Sequence, residues 1–587
     1  MSAVGLLDMS TIASLEEKEV SGGEATLVDL LVDPIEADDL RKRAAELPSI
    51  RLSQRSVCDL EMLATGGFSP LRTFLGRADL ESVCGSMRLA DGRLFPIPIT
   101  LPVDSKVDLK EDKTIALRDV RGEILALMDI GEIYAWNAAE FQAAVFGTTD
   151  KKHPLVAESD TWGKVNITGR LRVLSPPKHF DFADLRMTPQ VVRDRLAEFG
   201  SSPVVAFQTR NPLHRGHEEI IRRALEKTGG VLLLHPAVGM TRPGDVDHVV
   251  RINTYRALIE ELREYKILLS LLPLAMRMAG PREALWHAVI RRNYGATHLI
   301  VGRDHASPGV DSTGESFYPP YAGQQLLAEF GKELGVESIP FEDIVYLPDR
   351  DTYSESSNTS PGERVIPLSG SDIRRKYLDQ GVSIPEWYMR PRISRILKDA
   401  HKTIAGRGVC VWFTGLSGAG KSTTAELLTA MMTENGRSVT LLDGDIVRTN
   451  LSEGLGFDRA GRNANIRRIG FVASEIVRHG GIAVCAAISP YRQTRNEVRK
   501  MFPVDRFVEV YIDTPLDVCE ERDTKGLYQK ARRGELANFT GIDDVYEPPD
   551  RPEIILDTVA DSAAENAEKI FQHLSRLGIV DQPNIDD

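Results

Sequence analysis

The sequence predicts a multidomain α/β protein, with a mostly β unit over residues 1–180, an α/β unit over 181–395 and a second α/β unit over 396–587. Three observations carry this reading. Short apolar runs broken by turn residues fill the first 180 positions, as in a small barrel. From about residue 203, strand-like runs alternate with long amphipathic stretches, the signature of α/β layering. Two phosphate-handling signatures of different kinds, Gln208-Thr-Arg-Asn-Pro-Leu-His-Arg-Gly-His217 and Gly415-Leu-Ser-Gly-Ala-Gly-Lys-Ser422, each follow a strand-like run directly.

In the first unit the strand candidates are Arg93–Pro102, Thr114–Arg118 and Gly122–Met128. In the second they are Val204–Phe207, Val231–Leu234 and Thr297–Val301, with a helix over Glu218–Lys227. Ile384-Pro-Glu-Trp-Tyr-Met-Arg-Pro391 carries two prolines and places a boundary near 385–405. The third unit opens with Gly408–Phe413 and continues with strands at Ser438–Leu442, Ile482–Ile488, Phe507–Ile512 and Glu553–Leu556, and a helix at Thr423–Thr433. The last ten residues are polar and acidic and read as frayed.

Composition narrows the function classes. The chain has 587 residues, 42% hydrophobic and 27% charged, with no apolar stretch near the ~20 residues that cross a bilayer. The five cysteines (Cys58, Cys84, Cys410, Cys485, Cys519) are scattered without C-x-x-C spacing, so neither a zinc site nor a disulfide framework is expected. A cytoplasmic protein without a secretory signal is the expectation. The net charge of −13, of which residues 1–50 carry −7, argues against nucleic-acid or membrane partners. Anionic small substrates must then be held by local Arg, Lys and His clusters, and those coincide with the two motifs.

In Asn211-Pro-Leu-His214-Arg-Gly-His217 the histidines stand three residues apart where a strand gives way to a helix. Unpaired N–H groups and the positive dipole at that helix start favour phosphate. Two imidazoles there suit charge growing on an α-phosphate and its pyrophosphate leaving group. Two loop histidines with surface hydrogen bonds are the plain alternative. Gly415-x4-Gly420-Lys421-Ser422 is a Walker A pattern between an apolar run and a helix-prone one. Its backbone N–H groups close on phosphates, Lys421 reaches the β/γ oxygens and Ser422 meets Mg²⁺, the expected cofactor with ATP. The loop alone does not name the acceptor.

The run Gln208–His217 resembles the signature of the ATP sulfurylase (sulfate adenylyltransferase) family. Further family-like segments follow at Asp59–Pro70, His235–Asp245, Ala275–His287 and Val301–Ala306. The resemblance spans roughly 50–395 and implies a PUA-like β-barrel domain packed on a Rossmann-like nucleotidyltransferase domain. It implies sulfate contacts from Gln208, Arg210 and the backbone at Ala306. It implies an ATP frame of Gln208, Thr209, Arg210, Asn211, Gly302, Arg303, Asp304 and His305. Thr209, Arg210 and Asn211 fall at the family's active positions, and His214 and His217 stabilise the transition state. Phe341 and Ile344 fit the family's adenine-side loop, although Phe341 reads equally as a core aromatic.

Leu442-Asp-Gly-Asp-Ile-Val-Arg448, Leu455–Phe457, Arg462–Arg468, Ile488–Arg492, Thr524–Tyr528, Asn538–Gly541 and Tyr546–Pro549 resemble the adenylyl-sulfate kinase family in order, over about 407–580. This resemblance implies ATP contacts from Gly415, Leu416, Ser417, Gly418, Ala419, Gly420, Lys421, Ser422 and Thr423. It implies acceptor contacts from Asp445, Arg448, Arg462, Asn465, Ile488, Ser489 and Lys525, with Phe457 and Phe539 sandwiching the adenine. A dianionic sulfated adenylate needs guanidinium partners and its purine favours aromatic faces. Ser489 stands at the family's phosphoserine position, yet direct in-line transfer suffices, with Lys421 and Asp445 as the catalytic pair and Asp445 accepting the hydroxyl proton. Arg467, Arg468 and Arg495 read as a solvated helix face.

Together the resemblances imply sulfate activation in two steps on a P-loop and an HxGH unit, in an enzyme that is a homo-oligomer. ATP and sulfate give adenylyl sulfate and pyrophosphate, and ATP then phosphorylates the 3′-hydroxyl. The alternative is an ATP sulfurylase whose C-terminal unit is a regulatory nucleotide-binding module.

Overall fold

The computed structural model describes residues 26–580 apart from 105–108, 242–245, 247, 369–376, 378–382, 402–407 and 504. Arg242–Asp245, the end of one family-like segment, lie outside the described residues, as do positions 1–25 and 581–587.

The first sheet holds five strands in the spatial order Ser49–Arg51, Thr114–Arg118, Ile124–Ala135, Val165–Val173, Pro102–Val103. Its two edge strands do not pair with each other, so it is a half-barrel. Five helices that the short apolar runs do not announce pack around it: Pro34–Ala44, Gln54–Ala64, Arg77–Ser86, Ala138–Phe146 and Pro154–Ser159. Several have strong starts, with Asp33, Ser53 and Asn137 accepting backbone N–H groups at their caps. The run Arg93–Pro102 is no strand beyond Pro102–Val103. Pro96, Pro98 and Pro102 remove ladder donors, and the run serves instead as buried irregular chain, with Phe95, Ile97, Ile99 and Leu101 in the core.

The second sheet is wholly parallel, in the order Glu337–Pro340, His298–Val301, Val204–Phe207, Val231–Leu234, Ile267–Leu269. Its strands are continuous apolar runs because both faces are covered. Helix Arg215–Thr228 includes the expected segment, and a small antiparallel sheet around Ile344–Leu347 follows. Helix Pro391–His401 falls inside the expected boundary. It begins on proline, whose missing N–H costs nothing at a first turn, and packs on helix His248–Glu261.

The third sheet is also parallel: Val439–Asp443, Ile482–Ala486, Val409–Thr414, Phe507–Ile512, Ile554–Leu556. In both parallel sheets the motif-bearing strand is central. All five cysteines are free thiols. Among the described residues no helix is long and apolar enough to cross a membrane.

The first two units share one hydrophobic core. Leu60, Phe68 and Phe95 of the first meet Trp286, Leu285 and Leu299 of the second, and the Phe68 and Trp286 ring centroids lie 5.2 Å apart. A buried ion pair crosses the same boundary, with Arg277 holding both oxygens of Asp59 at 2.8 and 2.7 Å. Arg55, paired within the first unit with Glu158 at 2.7 Å, also reaches across to donate to Met276 O at 2.9 Å. Removing one partner strands a buried charge. Asp59→Ala therefore destabilises the shared core by about 3–5 kcal/mol, whereas replacing both partners with apolar residues of similar volume recovers most of the loss. Urea unfolding monitored on the tryptophans of this core checks it, and equal stability of Asp59→Ala and wild type refutes it.

Candidate functional site

Gln208 leaves the C-terminal end of the central strand Val204–Phe207, beside the loop that follows the neighbouring strand His298–Val301. Ligands of parallel sheets bind at that end. Helix Arg215–Thr228 then starts with its two histidines as a reciprocal cap. Gly216 N–H donates to His214 Nδ1 at 3.2 Å and His214 N–H donates to His217 Nδ1 at 3.4 Å. The two rings face each other with centroids 3.9 Å apart.

With each Nδ1 accepting from backbone, a neutral ring carries its proton on Nε2 and can offer it to a ligand. Burial, reinforced by the neighbouring His217, pushes His214 well below the ordinary histidine value, and burial brings His217 down to about 4. At neutral pH both rings are therefore uncharged, each with an Nε2–H to offer.

Tyr255 donates to Asn211 O at 2.8 Å, and Thr209 Oγ1 accepts Asn211 N–H at 3.1 Å, so the connecting loop is held from both sides. Gln208 Oε1 accepts from Arg291, a fully buried guanidinium that also donates to His235 O at 3.2 Å. Arg210 lies close enough to His287 and His305 to lower both. His305 Nε2 sits 2.9 Å from His287 Nδ1, and burial pushes His305 down to about 3. His287 in turn lies 3.3 Å from Glu283. Burial alone would raise Glu283, but His287 and the N–H groups of Arg277 and Ala279 outweigh it and bring the carboxyl to about 2. Gly302 and Asp304 are exposed in the adjoining loop, Arg303 pairs with Asp343 at 2.9 Å, and Ala306 takes a positive φ of 52°. Phe341 is buried in the core cluster with Phe207 and Ile339, and Ile344 is also buried.

The layer Asp59–Arg277–Glu283–His287–Arg291 beneath the first site went unread in the sequence. Its one signal was the charged residues Glu283, His287 and Arg291 at four-residue spacing within an otherwise apolar stretch of helix Gly280–Asn293.

In the third unit, Gly415, Gly418 and Gly420 take φ values of 151°, 73° and 98°, which a side chain rarely tolerates, so the phosphate loop needs glycine at each. Lys421 Nζ donates to Leu416 O at 2.6 Å, spanning the loop, and burial pushes its ammonium down to about 8. Ser422 donates to Asp443 Oδ2 at 2.7 Å, and Asp443 Oδ1 caps the next helix through Asp445 N–H at 3.0 Å. The loop borders a cleft of about 890 Å³ that contains Asp445, Arg448, Phe457, Arg462, Asn465, Ile488, Ser489, Lys525 and Phe539 together.

Within the cleft, Lys525 is ion-paired with Asp445. Arg448 stacks 4.3 Å over the exposed Phe457 ring. Arg462 donates to Phe457 O at 2.7 Å, to Thr540 Oγ1 and to Asn538 O, so it ties the Phe457 loop to the Phe539 loop. Asn465 is buried, and its Oδ1 has no partner among the described residues. Ser489 is buried with a φ of 41°, and its hydroxyl accepts from Trp412 Nε1 at 3.1 Å and donates to Ala487 O at 3.3 Å. That hydroxyl is engaged with the interior. Ile488 O is occupied by Thr414 Oγ1 at 2.9 Å.

The solvated-face reading of Arg495 is wrong. It is 1% exposed, pairs with Glu509 at 3.0 Å and donates to Ser489 O and Glu547 O at 2.6 Å each. Helix Arg492–Arg499 turns this one arginine inward, where it fastens the strand end that carries Ser489. Arg467 does pair at the surface with Glu497, and Arg468 is exposed.

Comparison with known proteins agrees with this geometry. The ATP-sulfurylase family pattern matches residues 183–400, the adenylylsulphate kinase pattern 407–557 and a PUA-like domain pattern 19–176. The sulfate adenylyltransferase of Mycosarcoma maydis is 41% identical over 566 residues, covering 94% of this chain and 98% of that protein. That of Aspergillus clavatus is 41% identical, covering 95% and 98%. A solved structure, the hexameric APS kinase from Thiobacillus denitrificans, aligns over 94% of this chain and 98% of its own at 33% identity with a TM-score of 0.54.

The neutral histidine pair makes a pH prediction. In the unfolded chain each histidine protonates near 6.5. In the folded chain His217 resists until about 4, so acidification from 6.5 toward 4 withdraws stability while pH above 6.5 adds none. The rate of sulfate-dependent pyrophosphate release should show no fall as pH rises through 6.5. A fall there would mean that imidazolium is the working form. His214→Ala or His217→Ala should each cost ~10²–10³ in that rate.

Proposed function

The chain belongs to the sulfate adenylyltransferase family and carries an adenylylsulphate kinase domain behind it, and from that premise we propose how its residues divide the work. The enzyme is bifunctional. It activates sulfate with ATP to adenylyl sulfate and pyrophosphate, then phosphorylates that product at its 3′-hydroxyl with a second ATP.

In the first reaction, Gln208, Arg210 and the Ala306 backbone hold sulfate, while Thr209, Asn211 and the Gly302–His305 loop frame ATP. A sulfate oxygen attacks the α-phosphorus and pyrophosphate departs. His214 and His217 donate Nε2–H bonds to the oxygens on which charge grows, a role that needs fixed donors and no proton transfer. The reciprocal cap that fixes both rings at the helix start is the observation that carries this assignment.

In the second reaction, Gly415–Thr423 hold the ATP phosphates and Lys421 neutralises the transferred group. Ser422 and Asp443 form a hard oxygen donor set that fits Mg²⁺, and they would hold it. When bound, the ion neutralises phosphate charge. The acceptor lies between Phe457 and Phe539, with Arg448 and Asn465 on it and Arg462 tying the two loops. Lys525 exchanges Asp445 for the acceptor's sulfate, which frees the Asp445 carboxylate to take the 3′-hydroxyl proton. Ser489 positions the strand end and takes no phosphate. ATP, sulfate and adenylyl sulfate are the ligands, and the enzyme is a cytoplasmic homo-oligomer, the oligomer being supported by the hexameric neighbour.

The carrying observation for kinase over sensor is the intact Lys421–Ser422–Asp443 arrangement. Lys421→Ala should leave pyrophosphate release, measured with pyrophosphatase present, near wild type while the 3′-phosphorylated product falls below ~1%. A regulatory module predicts instead that wild type makes no such product and that Lys421→Ala alters only the control of the first reaction.

A further inference from the structure

The kinase cleft is not built by the kinase unit alone. Arg51, Arg118, Arg121 and Lys178 of the first unit line it together with the phosphate loop. Arg121 sits at the tip of the turn joining strands Thr114–Arg118 and Ile124–Ala135, which is pinned by Asp119 Oδ1 accepting the N–H groups of Arg121 and Glu123 at 2.9 and 2.8 Å. From there it forms an ion pair with Glu426. Glu426 lies on the phosphate-loop helix Lys421–Glu434, five residues after Lys421, and its side chain is only 6% exposed. The far end of the same helix is also held, by Phe182 N–H donating to Glu434 at 3.0 Å.

A second contact touches the segment carrying Lys525. Gly526, with a φ of 67°, lies against Ala45, where an added Cβ would come within 2.9 Å of the Ala45 Cβ. Beside it, Arg51 donates to Thr449 at 3.2 Å and Arg533 pairs with Glu46 at 3.1 Å.

We propose that the first unit is a working part of the kinase site, with Arg121 as a positioning residue that acts through Glu426 on the phosphate-loop helix. This rests on the kinase reading of residues 407–557. Glu426 lines the same cleft as Asp443 and the phosphate loop, so its carboxylate is an anion near another anion. Neutralised by Arg121 it anchors the helix to a rigid turn. Burial pushes the Glu426 carboxyl up to about 7 while Arg121 opposes the rise, so the ion pair lasts only while Arg121 is there. Without Arg121 the buried carboxyl takes up a proton, and the helix start, with Lys421 and Ser422, loses its anchor to the turn.

The test uses the full chain, ATP with Mg²⁺ and supplied adenylyl sulfate, with sulfate-dependent pyrophosphate release from the same preparation as the control. Arg121→Ala should lower kcat/KM for ATP in the kinase reaction by about 30-fold or more, with both kcat and KM affected, and leave pyrophosphate release within about twofold. Arg121→Lys should lose less, keeping the charge without the fork. The deciding variants are E426Q and R121A/E426Q. E426Q breaks the same contact from the helix side, so it should lower kcat/KM for ATP as Arg121→Ala does, and the double variant should be no worse than either single one. Wild-type kinase kinetics in Arg121→Ala overturn the proposal, as does a double variant in which the two losses multiply. Loss of both activities in Arg121→Ala overturns it too, since Arg121 would then serve the fold as a whole. A wild-type protein that makes no 3′-phosphorylated product instead sinks the kinase reading itself.

Discussion

Both chemistries depend on one backbone constraint. A buried parallel strand at the centre of its sheet must end in a turn, and the helix that follows begins with N–H groups that nothing inside the helix can satisfy. Val204–Phe207 and Val409–Thr414 are such strands, and each delivers its chain to a helix start. The two turns solve the problem differently. The phosphate loop uses glycine to curl its own N–H groups around an anion, with Lys421 laid across the loop. The HxGH turn caps the helix with imidazole nitrogen, using two of the orphan donors and turning the opposite ring edges outward. Capping and the proposed catalytic role are thus one arrangement, because the hydrogen bond that satisfies the backbone also selects the tautomer.

That choice settles how much polar material the interior must hold. A ring kept neutral by burial needs rigid surroundings more than it needs counter-charge. The layer below supplies this as a chain of paired groups: Asp59 to Arg277, the Arg277 backbone to Glu283, Glu283 to His287, and His287 to His305. Glu283 stays ionised although fully buried because backbone N–H groups and His287 solvate it. Arg291 is held less well. Burial drags it down to about 9, with Gln208 and the His235 carbonyl as its hydrogen-bond partners among the described residues. It holds Gln208, a residue of the proposed sulfate pocket, from behind.

The legible part of the fold was the part whose cause is local. Apolar runs marked the central strands to within a residue or two, since a strand buried on both faces must be apolar throughout. Glycine and lysine spacing marked the phosphate loop for the same reason, being dictated by its own backbone. Arg93–Leu101 misled because burial and ladder pairing are different requirements: its alternating side chains pack inward, while its prolines cannot join a sheet. Arg495 misled because one residue of a polar helix turns inward to a partner on another strand. The ion pairs were illegible because their halves are far apart in the chain, 218 residues in the case of Arg277 and Asp59. Arg121 and Glu426 are further apart still, and neither looks unusual beside its sequence neighbours.

The overall charge of −13 then ceases to be a puzzle for an enzyme whose ligands are all anions. Screening limits the reach of a surface charge to ~8 Å at physiological salt, so the acidic surface matters little at the bottom of a cleft. What counts there is the local sum, and the kinase cleft brings together arginines and lysines that are far apart in the chain, from Arg51 to Lys530. Most of these are already committed: Arg462 to the loops, Lys525 to Asp445, Arg121 to Glu426. Such pairing keeps the empty cleft from accumulating unbalanced positive charge. It also means that an arriving dianion competes with existing carboxylates for its cations. On the proposed placement of the acceptor, selectivity follows from that competition, since only a ligand that brings its sulfate to Lys525 and its purine between Phe457 and Phe539 at once replaces the lost ion pair with something stronger.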